Sequence, residues 1–228
     1  MRSTRRRPRV SRWALVASLV LVGVAGLDEG VAPASRTAHA QGPGAALRFG
    51  VVAERSEVRY RVREQLVNLR FPNDAVGATR AIEGGIALDR EGRVLAGESR
   101  FTVDLKTLRS DEPRRDNYLR RNTLETERYP TVAFVPIELR GLRGPLPAAG
   151  TASFELLGDL TVRDVTRPIA WEAVASFDGQ EVSLRARTAF RFGELGLRIP
   201  RVSVVLSVED NIRLEADLLL RRRSGTGA

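Results

Sequence analysis

Cysteine is absent from this chain of 228 residues, and histidine, lysine and methionine occur once each. Without cysteine no disulfide staples the fold, and no N-terminal thiol can carry a lipid anchor. The single histidine, His39, falls in an N-terminal stretch that reads as a leader. The rest of the chain therefore holds neither His nor Cys. That excludes Ser-His-Asp and Cys-His nucleophilic catalysis, most zinc sites and haem ligation by histidine.

What the N-terminus does contain is an export signature. Arg2, Arg5, Arg6, Arg7, Arg9 and Arg12 precede an apolar run from Trp13 to Leu27, interrupted only by Ser18 and followed by Ala38-His39-Ala40. A basic region, a short apolar region and a small-residue cleavage site make a secretory signal peptide. The run is shorter than the ~20 residues of a spanning helix. The expected organisation is a signal peptide over 1–40, a flexible segment over 41–46, a domain over 47–221 and a disordered tail over 222–228. The location expected is periplasmic or secreted, after cleavage near Ala40. An uncleaved anchor is the alternative. Residues 1–40 hold seven arginines against Asp28 and Glu29, so 30 basic and 26 acidic residues remain beyond them, a net charge of +4. This spread, mild excess does not predict nucleic-acid binding, which needs a clustered basic face with stacking aromatics.

Beyond Gly44 apolar residues recur with a period of two, the mark of half-buried strands. Val58, Tyr60, Val62 and Leu66 alternate with arginines, and Glu64 is the one interruption on the apolar face. Phe101, Val103 and Leu105 repeat the pattern, as do Phe154–Val162, Ile169–Phe177, Val182–Phe192, Val202–Val208 and Ile212–Leu220. The chain is all-β. Asp89–Gly92 and Asp178-Gly179 read as hairpin turns, and Glu209-Asp210-Asn211 as another tight connection. Gly158 suggests a bulge or bend.

Ser110 to Glu125 breaks the rhythm. Ser110 or Asp111 can cap a helix with Pro113 in its first turn. Leu119 and Leu124, with Tyr118 beside them, form its apolar side, so one short helical segment is expected over a barrel end.

Two further pieces carry the most information: Tyr129-Pro130-Thr131-Val132-Ala133-Phe134, and Gly158-Asp159-Leu160-Thr161-Val162-Arg163-Asp164-Val165-Thr166-Arg167-Pro168. The second reads as strand, polar corner and strand. Both resemble motifs of the YceI-like family, and the resemblance runs from about residue 47 to residue 220. It departs at Arg115-Asp116-Asn117-Tyr118-Leu119, where Tyr118 stands in a position at which the family often has His. The resemblance implies a lipocalin-like antiparallel β-barrel of about eight strands, exported and holding a polyisoprenoid or similar lipid.

On that basis the expected partner is an isoprenoid lipid or quinone-like amphiphile, with transient membrane contact and a homodimer as further expectations. No enzyme activity, cofactor, metal or nucleic-acid partner is expected. The ligand neighbours expected are Phe101, Val103, Tyr118, Leu119, Phe134, Trp171, Phe190 and Phe192, with 110–125 as a lid. Arg115 and Asp116 are expected to form a salt bridge that fixes the helix. Two rivals stay open. One is a barrel filled by its own side chains that works through its surface. The other is a carboxylate-only hydrolase or isomerase using Asp104, Asp111 and Asp116, which requires acids converging in a cavity.

Overall fold

A computed structural model of the chain describes residues 46–142 and 144–223. The signal-peptide expectation over 1–40, most of the 41–46 spacer and the tail from residue 224 lie outside the described residues. Eleven strands form one antiparallel sheet: β1 Leu47–Val51, β2 Glu57–Leu66, β3 Asn73–Thr79, β4 Ile82–Leu88, β5 Arg100–Asp104, β6 Arg109–Ser110, β7 Thr131–Arg140, β8 Ala149–Val162, β9 Val165–Asp178, β10 Glu181–Phe190 and β11 Val205–Arg223. The ring β1-β4-β5-β7-β8-β9-β10-β11 closes through a β1–β11 ladder. β2, β3 and β6 continue from β11 as a second row, in the order β11-β2-β3-β6.

The two rows are one barrel with bent staves. β1 with β2, β3 with β4, and β5 with β6 are each a single long strand interrupted by a few residues. Counted this way the barrel has eight strands, each paired with the next and the last with the first. Polar side chains build the three interruptions. The buried Ser56 hydroxyl donates to the Val52 carbonyl (2.8 Å) and accepts from the Leu219 N–H (3.0 Å), bridging the gap beside β11. Thr79 accepts from the Ala81 N–H (3.0 Å), and its hydroxyl is bonded to that of Thr107 (2.6 Å). Asp104 caps the turn Leu105–Thr107 by accepting from the Lys106 N–H (2.8 Å). Short polar side chains that bond nearby backbone compete with the ladder in this way. The described residues fall in one compact unit, and the ring closes within it, so this part folds as a unit.

Four expectations move. β11 runs unbroken through Glu209-Asp210-Asn211, which is a register shift and not a turn; Asp210 there accepts from the Phe192 N–H (2.9 Å). Phe192 lies beyond β10, opening a 3-10 turn Phe192–Leu195. The hairpin loop after Asp178 is Gly179-Gln180, since Asp178 pairs with Glu181. The domain extends past 221, because Arg222 and Arg223 pair with Phe49 and Arg48.

The bulge expected at Gly158 is opposite it, on β7, between Pro136 and Glu138. Gly158 instead makes room for an aromatic ring: a Cβ there would lie 2.3 Å from the Val135 carbonyl oxygen and 2.6 Å from the Phe134 ring. Gly158→Ala is therefore expected to cost about 1–3 kcal/mol by overpacking, measurable by urea denaturation.

Arginines on the outward positions of β2 pair with carboxylates of β11 and of β2 itself. Arg59 is bonded to Glu57, Glu215 and Asp217, and Arg61 to Glu215 at 2.7 Å. The Arg59 hydrogen bond holds the Glu57 carboxyl below its usual value of 4.5. Burial raises Glu215, but its bonds to Arg61 and Arg59 prevail and lower it as well. Carboxylates depressed in the folded state stabilise it above the unfolded value and lose that contribution as pH falls. Melting temperature is expected to hold steady from neutrality to about 4.5 and to decline below it, less steeply at high salt where exposed pairs are screened.

Candidate functional site

The two ends of the barrel are filled differently. At one end Phe49, Ile86, Leu88, Phe154, Phe177 and Leu220 close around a void of about 40 Å³. At the other lies a cavity of about 910 Å³. Phe101, Leu156 and Leu184 border both spaces and so form the floor between them. Phe134 and Trp171 meet edge to face in the wall, ring centroids 5.9 Å apart. Alternation supplies this wall: the inward positions of β8, β9, β10 and β11 are apolar, and Ala186 and Ala216, paired across β10 and β11, keep it wide.

All eight residues singled out from sequence, Phe101, Val103, Tyr118, Leu119, Phe134, Trp171, Phe190 and Phe192, border this cavity. Tyr118 and Leu119 reach it from the segment that breaks the strand rhythm. Helix α1, Pro113–Tyr118, begins there, and a π-helical turn, Leu119–Thr123, continues it. The cap is Glu112, whose carboxylate accepts from the Arg114 N–H (2.9 Å), and neither Ser110 nor Asp111 as expected.

The charges that hold α1 also differ from the expectation. Arg115 does not pair with Asp116. Its guanidinium reaches Glu64 on β2 (2.7 Å) and Asp111 (2.6 Å). Glu64, which interrupts an apolar strand face, is thus matched by an arginine lowered onto it from the helix. Asp116 is buried and accepts from the N–H (3.0 Å) and hydroxyl (2.7 Å) of Ser110, tying α1 to β6. These contacts fix the helix beside the cavity mouth. Asp104, Asp111 and Asp116 therefore act as a turn cap, an exposed pairing partner and a helix tie. They do not converge in the cavity.

Other wall residues were not singled out from sequence. Tyr60 lies over Gly77, its β3 partner, where a Cβ would sit 2.2 Å from the ring. Burial pushes its phenol up to about 12. The Tyr60 hydroxyl and the Trp171 indole N–H have no partner among the described residues. Leu66, which ends β2, and Val67 after it, with Pro200, Val202 and Val204 before β11, line the mouth. Val202 and Val204 share the two-residue period of the expected strand Val202–Val208, yet they lie in the connection ahead of β11, which begins only at Val205. The Tyr60 position, by contrast, was visible as an inward aromatic. Tyr129 sits outside the cavity lining, its hydroxyl 3.4 Å from Asp164 and its ring beneath Arg128 and Arg163.

The YceI-like domain model matches residues 49–220. The chain belongs to the YceI-like family. Curated relatives from two strains of Pseudomonas putida, each named UPF0312 protein, are 26% identical over 111 residues. That alignment takes in 45% of this chain and 54% of each relative, so the chain spans about half their length. Among solved structures, a polyisoprenoid binding domain from Saccharophagus degradans superposes with a TM-score of 0.62 at 12% identity, covering 78% of this chain and 99% of that one. BcnA of Burkholderia cenocepacia gives 0.55 at 13%, covering 74% and 98%. At such identities the likeness is one of fold: the YceI-like barrel is a lipocalin-like antiparallel barrel with one short helix.

Proposed function

We propose that this YceI-like protein is exported and sequesters or carries an isoprenoid-type amphiphile, a polyprenyl lipid or quinone, in the hollow end of its barrel. The observation that carries the reading is the apolar cavity of about 910 Å³. Taking a water-sized share of ~30 Å³ per heavy atom, it has room for roughly thirty atoms, about six five-carbon units. At ~0.8 kcal/mol per buried CH₂, each unit gives about 4 kcal/mol gross. A few units then reach the practical ceiling of affinity after ordering costs. The chain needs no strong headgroup contact to hold such a ligand. A ligand oxygen would satisfy the Tyr60 hydroxyl or the Trp171 N–H.

The filled-barrel alternative is disfavoured by the same volume. A non-enzymatic role fits the lack of His and Cys beyond residue 40 and the structural employment of the three aspartates. The polyisoprenoid binding of the Saccharophagus domain adds support by kinship of fold. The test is native mass spectrometry of the chain from Gln41, purified from a bacterial envelope, with solvent extraction of whatever is bound. A discrete added mass that extracts as a prenyl lipid or quinone is expected. A bare mass, still bare after incubation with such lipids, overturns the carrier reading.

A further inference from the structure

The cavity mouth carries an apolar ridge that no part of the described fold covers. In the connection between β2 and β3, Val67, Leu69 and Phe71 are 58%, 41% and 74% exposed. Around the start of β11, Val204 just before it and Leu206 within it are 61% and 65% exposed. The two segments lie side by side: Leu66 pairs with Val205, and the Val67 N–H donates to the Val204 carbonyl at 3.1 Å. Val67 and Val204 also line the cavity, so the ridge is continuous with the cavity wall. Most soluble monomers leave large apolar side chains exposed singly; grouped ones mark a contact surface.

The charges on the ridge are of one sign. Residues 65–72 and 195–206 contain Arg70, Arg198 and Arg201, all exposed, and no Asp or Glu. Among the described residues none of these three arginines has a carboxylate partner, whereas Arg59 and Arg61 on β2 are both paired. Apolar tips flanked by arginines suit an anionic bilayer, whose acyl boundary takes the tips and whose phosphates take the guanidiniums. A second copy suits it badly, because a two-fold contact sets a patch against itself and would bring arginines against arginines.

We propose that the ridge formed by residues 67–71 and 198–206 docks the protein on an anionic membrane surface and opens the cavity mouth toward the bilayer. An amphiphile then passes between membrane and barrel without crossing water. This use of the ridge rests on the lipid-carrier reading; the docking itself is measured separately.

The test is co-sedimentation of the chain from Gln41 with vesicles of phosphatidylglycerol and phosphatidylethanolamine, against vesicles of phosphatidylcholine alone. Two variants, Phe71→Ser with Leu206→Ser and Arg70→Gln with Arg201→Gln, change residues outside the cavity lining. Binding to the anionic vesicles is expected to exceed binding to the neutral ones by about tenfold or more, and to weaken with salt. Each variant is expected to lose about tenfold while its circular dichroism and its content of extracted lipid stay those of the parent. Undiminished vesicle binding by both variants overturns the proposal. So does an absence of vesicle binding by a parent protein that light scattering shows to be a dimer and the variants to be monomers. Vesicle binding by a parent that never retains lipid leaves the docking surface standing and removes the carrier reading.

Discussion

Replacing Arg115 with methionine is expected to destabilise the barrel by about 3–5 kcal/mol, because it strands a buried carboxylate. Glu64 points inward from β2 with its side chain 9% exposed, and Arg115 is its one ion-pair partner among the described residues. For a domain of this size each kcal/mol moves the melting temperature by ~2–4 °C, so a drop of roughly 10 °C is the readout. The companion Glu64→Leu with Arg115→Met is expected to recover most of the loss, since an apolar pair of similar volume avoids the desolvation cost altogether. Urea denaturation of both single variants and the double closes the cycle. A single Arg115 variant within about 1 kcal/mol of the parent would show that this pair does not hold the helix. The double variant also separates stability from gating. It restores an apolar packing surface but not the directional bond, so under the proposed carrier role, with α1 as its lid, lipid is expected to be released faster even where the fold is as stable as before.

That pair also marks how far the sequence could be read. Strands were legible because a half-buried strand must alternate, and β2, β5, β8, β9 and β10 do so plainly. The bends were not, because they rest on hydroxyls such as Ser56 and Thr79, each with one partner far along the chain, the Leu219 N–H and the Thr107 hydroxyl. Glu209-Asp210-Asn211 has turn chemistry yet sits inside β11: Asp210 spends its carboxylate on the Phe192 N–H and not on a local turn. Pro113 announced a helix start correctly. The partner of Arg115 could not be seen, since Glu64 lies 51 residues upstream and only the closed barrel brings it near. The wall residues on strands were within reach of pattern reasoning. The mouth residues Val202 and Val204 do alternate, but that pattern reads as strand, and only the fold places them in the cavity wall ahead of β11.

Filling the cavity from its narrowest residues separates a carrier from a barrel that merely packs loosely. Ala186 and Ala216 face each other across β10 and β11 and both border the cavity, so their substituents project into space the fold leaves empty. Ala186→Phe adds six carbons, about the size of one five-carbon unit of ligand. Displacing one unit is expected to cost about 4 kcal/mol of gross burial, a loss of roughly 10²–10³-fold in affinity for a prenyl probe. With Ala216→Phe added, native mass spectrometry is expected to show bare protein. Stability is expected to move the other way or not at all, because a ring that enters a void gains contacts without displacing neighbours. Reading both quantities on the same variants is what decides the matter. If the alanines were tight core positions, the rings would overpack and the melting temperature would fall, with lipid lost only through unfolding. A plugged, stable and empty barrel can arise only if the cavity is where the lipid sits.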